Sequence, residues 1–83
     1  MNVNVQHRVV KVISEVLNRK ENEIPLDASL QDLQIDSLQQ MTLFIALEDE
    51  FQRSLPPEEV TGLDTVKHII GFIDKKLEES SPV

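Results

Sequence analysis

The chain has no cysteine, no tryptophan and no tyrosine, and only two glycines and three phenylalanines. Each shortage excludes something. Without cysteine there is neither a disulfide nor a thiolate metal site to staple the fold, and the redox compartment stays open. Two glycines cannot build a glycine-rich phosphate loop. No apolar run approaches the roughly 20 residues that a membrane-spanning helix needs. The opening Met1–Gln6 lacks a basic segment followed by an apolar stretch, so no signal peptide is expected and the expected address is cytoplasmic.

What is present is a chain of 83 residues and 9.5 kDa, expected to form a single domain over 1–83. A chain of this size buries only about 60–65% of the surface its unfolded form exposes, so the core is small. Hydrophobic residues at 40% and charged residues at 28% fit a soluble folded domain and are too apolar for a disordered tail. The formal charge is −7, unevenly spread. Residues 21–66 hold eleven acids against Arg53 alone, whereas residues 1–20 are net basic and residues 67–83 balance. An acidic middle argues against a nucleic-acid backbone or an anionic membrane as partner and for basic protein surfaces. It also predicts self-repulsion that added salt relieves.

Val9, Val10, Ile13, Val16 and Leu17 recur at helical spacing, with Lys11, Ser14, Glu15 and Asn18 on other faces. This predicts an amphipathic helix over about 4–19. Residues 20–35 read as a long ordered loop. Pro25 restricts the residue before it to extended geometry, yet Ile24, Leu26, Leu30, Leu33 and Ile35 give the loop enough aliphatic surface to pack on the core. Asp36-Ser37-Leu38-Gln39-Gln40 is a helix start in which either Asp36 or Ser37 can be the N-cap, with Gln39 or Gln40 at the third position. That helix is expected to run to Phe51. A short one follows over Pro57–Thr61, with Gly62 as a stop. A last helix over about 65–78, capped by Asp64 or Thr65, carries the stripe Val66, Ile69, Ile70, Ile73 and Leu77. Ser80–Val83 reads as a frayed tail. No β-type alternation competes, so the expected fold is all-α: a four-helix bundle of three longer helices and one short, with a long first loop.

The second helix has two apolar faces. Leu43, Phe44, Leu47 and Phe51 fall within an arc of about 100°, a normal core stripe. Leu38, Met41 and Ile45 form a second arc. Either the long loop covers it through Ile35 or Leu33, or it stays exposed, rimmed by Glu48, Asp49 and Glu50, and docks a partner. Ser37 stands at the head of this helix, beside free backbone N–H groups and the positive end of the helix dipole, both of which favour a phosphate. Serine is also a common N-cap, and most such serines are never modified.

Leu30-x-x-Leu33-Gln34-Ile35-Asp36-Ser37-Leu38, followed by Met41, Ala46-Leu47-Glu48-Asp49-Glu50-Phe51 and Leu55-Pro56, resembles the acyl carrier proteins. The resemblance covers nearly the whole chain, including Ile24 and Asp64-Thr65-Val66. It implies that Ser37 receives 4′-phosphopantetheine from coenzyme A through a Mg²⁺-dependent phosphopantetheinyl transferase, with Asp36 helping recognition. The thiol of that arm then carries acyl groups as thioesters for fatty-acid, polyketide or specialised lipid synthesis. The protein is then a monomeric carrier and not a catalyst, and the missing thiol arrives on the arm. Leu38, Met41, Ile45, Glu48 and Asp49 are implied to contact acyl-transferring or condensing enzymes through basic docking surfaces. Two departures stand out, and one match discriminates between carrier types. Gln34 replaces an expected glycine. Gln39, Gln40 and Thr42 are neutral where fatty-acid carriers often have acids. Asp36 stands where peptidyl carriers usually have histidine, which lowers an aminoacyl or peptidyl cargo. The neutral front half of the helix points toward partners other than those of housekeeping fatty-acid synthesis. The reading from another class is an unmodified helical adaptor whose Ser37 is only an N-cap.

Other chemistries find little support. His7 and His68 lie on different predicted helices, and without cysteine a zinc site would need carboxylates beside them. Asp27-x-Ser29-x-Gln31 loosely matches a calcium loop but has Asp32 and Leu38 where glycine and an acid belong. Glu48–Glu50 and Glu58–Glu59 could hold cations only diffusely. No metal-binding and no catalytic residue is expected.

Overall fold

The computed structural model describes residues 3–79; the expected frayed tail at 80–83 lies outside them. Four α-helices follow one another: α1 (Val3–Leu17), α2 (Ser37–Phe51), α3 (Pro57–Val60) and α4 (Val66–Glu79). A 3₁₀ turn, Glu21–Glu23, interrupts the first loop. Among the described residues there is no strand, only one isolated bridge between Ser29 and Thr65. The all-α expectation holds, with three longer helices and one short.

α1 packs against both α2 and α4 through Val5, Val9, Val12 and Ile13, all buried. The stripe is thus rotated from the expected one: Val5 and Val12 belong to it, and Val10, Val16 and Leu17 flank it half-buried. Ser14, expected on another face, is buried, and its hydroxyl donates to the Lys11 carbonyl at 2.7 Å. That bond lets a small polar side chain sit in the interface without an unmet donor. α2 supplies Leu43, Phe44, Leu47 and Phe51 to the core, and α4 supplies Val66, Ile69, Ile70 and Ile73. Leu77 is only half-buried.

The first loop packs as expected: Ile24, Leu30 and Leu33 are buried and Leu26 and Ile35 partly so. It also satisfies the first turn of α4, whose N–H groups have no partner within the helix. The Val66 N–H donates to the Ala28 carbonyl (3.1 Å) and the Lys67 N–H to the Leu26 carbonyl (2.8 Å). The next N–H, of His68, donates to the Thr65 hydroxyl at 3.1 Å, so Thr65 rather than Asp64 caps the helix. Gly62 is not a left-handed stop, since no glycine has positive φ; α3 ends at Val60 with Thr61 still helical in φ and ψ. Left-handed residues instead follow α1 and α2, at Asn18 and Gln52.

Candidate functional site

The site begins in the backbone just before α2. Gln34 adopts φ 60°, the left-handed region that glycine enters most easily. The turn returns the Ile35 N–H to the Leu30 carbonyl at 2.9 Å and aims the chain at the helix start. Asp36 is extended, and its carboxylate accepts from the Gln39 N–H at 2.8 Å. Its carbonyl accepts from the Gln40 N–H, also at 2.8 Å. Asp36 is therefore the N-cap and Ser37 the first helical residue.

Ser37 is exposed, and among the described residues its hydroxyl makes no hydrogen bond. Neither its own N–H nor that of Leu38 has a protein acceptor there. An anion joined to the hydroxyl would meet these donors and the positive helix end. A serine nucleophile needs an adjacent base. The groove that begins at Ser37 is lined by no histidine, lysine or arginine, and Glu48 is the one charged side chain in its lining.

From Ser37 a groove of about 420 Å³ runs between α2 and the segment 55–61. Met41, Phe44 and Ile45 form one wall, and Leu55, Pro57 and Val60 the other, with Glu48 at its edge. Groove size and apolar walls suit a small hydrophobic guest.

The second arc of α2 is uncovered. Leu38, Met41 and Ile45 are 72%, 63% and 61% exposed, the exposed large hydrophobics among the described residues. Leu33 and Ile35 turn into the core instead of covering them. The acidic rim behaves unevenly. Glu48 is half-buried and accepts from the Leu55 N–H at 2.7 Å, tying α2 to the segment that walls the groove. Glu50 is held by Arg8, whose Nε donates to its carboxylate and whose Nη2 donates to its carbonyl, both at 2.8 Å. The Arg8 guanidinium also lies 4.4 Å from the centre of the Phe51 ring. Asp49 is exposed; its carbonyl accepts from Gln52 Nε2 at 2.6 Å, while its carboxylate has neither a hydrogen bond nor an ion pair among the described residues.

The histidines stand apart from this region. His7 faces Glu21 at 3.5 Å and His68 faces Asp64 at 2.8 Å. Among the described residues no group of three or more His, Asp or Glu side chains could hold a metal ion. Sequence reasoning missed the Arg8 clamp and the Glu48 tether, since both join residues whose pairing depends on the fold. The strained turn did leave a signal: glutamine where a glycine was expected.

Ser37 thus stands exposed at the head of a helix capped by Asp36, beside an apolar groove in a small helical bundle. Residues 7–73 match the family model described as the phosphopantetheine attachment site. Over 74 residues the chain is 42% identical to the acyl carrier proteins of two strains of Buchnera aphidicola subsp. Acyrthosiphon pisum, Tuc7 and APS, covering 88% of this chain and 92% of each relative. The chain belongs to the phosphopantetheine attachment site family, and phosphopantetheine is the cofactor its site is built to hold.

Proposed function

We propose that Ser37 is the attachment point of 4′-phosphopantetheine, and that the chain carries acyl groups as thioesters on the terminal thiol of that arm. One observation carries the assignment: Asp36 caps α2, so Ser37 has no capping duty and its hydroxyl is free. The adaptor reading needed Ser37 as the cap. The arm supplies the thiol that the chain lacks. The protein's own residues do the rest. Asp36 fixes the helix start, the free N–H groups of Ser37 and Leu38 offer donors to the arm's phosphate, and the groove shelters an apolar cargo.

The protein is a substrate of a phosphopantetheinyl transferase, which supplies the base that receives the Ser37 proton; Ser37 Oγ forms a phosphodiester with the arm's phosphate as the pyrophosphate bond of coenzyme A breaks and adenosine 3′,5′-bisphosphate leaves. Leu38, Met41 and Ile45 form the face that acyl-transferring and condensing enzymes contact, with Glu48 and Asp49 at its edge. Incubation with coenzyme A, Mg²⁺ and a broad-specificity transferase is expected to add one phosphopantetheine by intact mass, and Ser37→Ala to abolish the gain. No gain under conditions that modify a known carrier overturns the assignment.

A finer reading concerns the pathway. The uncharged run Ser37–Leu47 favours a dedicated carrier of a specialised lipid or polyketide pathway. If a standard fatty-acid synthase set extends cargo on this protein as efficiently as on its own carrier, that reading is wrong.

A further inference from the structure

We infer that the groove beside Ser37 is matched to a hydroxyl-bearing acyl chain rather than a saturated one: a cargo apolar in its middle, with a hydrogen-bonding group toward each end. The inference rests on the carrier reading and names the class of cargo. Its ground is the order of side chains along the α2 wall. Gln40 and Glu48 lie eight residues apart, which on a helix puts them on one face roughly 12 Å from each other. Both line the groove, with the apolar Met41, Phe44 and Ile45 between them. Both are half-buried.

Neither has spent its polar capacity. The Gln40 side-chain amide makes no hydrogen bond among the described residues; only its backbone N–H is engaged, donating to the Asp36 carbonyl. Glu48 accepts the Leu55 N–H on Oε2, and its other carboxylate oxygen has no partner among the described residues. Thr61, on the facing wall, reaches the Glu58 carbonyl only at 3.5 Å, longer than a good hydroxyl bond. A saturated chain laid along this wall strips water from these groups and returns nothing. A hydroxyl at one end donates to the Glu48 carboxylate, a charge-assisted bond. A hydroxyl at the other end bonds the Gln40 amide. A site that offers hydrogen-bonding groups rejects the analogue lacking the partner better than an apolar pocket sorts by size. Because Gln40 and Glu48 keep part of their hydration, the preference expected here is severalfold and not the larger factor of a closed site.

The test loads the whole protein on Ser37 from a matched set of coenzyme A thioesters, using a broad-specificity phosphopantetheinyl transferase. The set is decanoyl and its derivatives hydroxylated near the thioester, at mid-chain and at the far end. Amide hydrogen exchange along 55–61, the wall opposite α2, reads occupancy of the groove. A hydroxyl toward either end is expected to slow exchange by about three- to fivefold relative to decanoyl, and a mid-chain hydroxyl to give no slowing. Gln40→Leu is expected to remove the gain for one end. Glu48→Gln, which keeps an oxygen for the Leu55 N–H, is expected to cut the gain for the other end by at least about half. Circular dichroism of each variant confirms that it is folded. Decanoyl protecting as well as the end-hydroxylated chains, or a gain that neither variant changes, overturns the inference. Loading on Ser37 with no change in exchange for any cargo also overturns it and leaves the attachment intact. No loading on Ser37 removes both.

Discussion

Gln34 holds the turn before α2 at φ 60°, a conformation that costs an L-residue about 1–2 kcal/mol. Gln34→Gly removes that cost but loosens the unfolded chain, which returns about 0.4–1 kcal/mol. A net gain of about 0.5–1 kcal/mol is expected, seen as a melting temperature higher by a few degrees. An unchanged or lower value contradicts the strain. Two residues on, Asp36→Ala is expected to lower stability by about 1 kcal/mol through loss of the cap, whereas Ser37→Ala leaves it within about 0.5 kcal/mol, as surface substitutions usually do. Thermal melts of the pair separate capping from attachment. Sequence alone left the cap open between Asp36 and Ser37, because both are good capping residues and each register puts a glutamine three places on. Only the Gln39 N–H, aimed at Asp36, decides.

At the scale of elements, the helices were legible because a 3.6-residue period of aliphatics is a local property. The second stripe of α2 was legible for the same reason. Its exposure was not, since that depends on where Leu33 and Ile35 turn. The loop's grip on α4, through the Ala28 and Leu26 carbonyls, joins segments about forty residues apart and leaves no mark in local pattern. Two substitutions test this level. Gly71 lies within α4, and a Cβ added there meets nothing within 4 Å. Gly71→Ala is therefore expected to stabilise by about 1 kcal/mol in a denaturant melt. Glu48→Ala leaves the Leu55 N–H without its acceptor and is expected to cost about 1–3 kcal/mol. It is also expected to raise amide exchange at Leu55 and along 55–61 more than in α1. Uniform protection across these segments would remove the tether from the account.

For the whole molecule, extents of 39 × 26 × 19 Å describe a small body suited to visiting several active sites. The net charge of −7 resolves into acids with different duties. Glu50 and Glu59 face Arg8 and Lys76, Asp32, Asp36 and Glu48 hold backbone N–H groups, and Asp27, Asp49 and Glu58 stand exposed. These two partly exposed ion pairs do not offset the surplus, so a higher melting temperature is expected on adding NaCl or Mg²⁺. Composition made this surplus visible but could not show which acids were engaged. The attachment of phosphopantetheine to Ser37 is the claim on which the rest depends. Intact-mass measurement after reaction with coenzyme A and transferase, with fragmentation to locate the adduct, tests it most directly. One phosphopantetheine on Ser37 and none in Ser37→Ala is the expected result; an unmodified chain, or an adduct on any other residue, contradicts it.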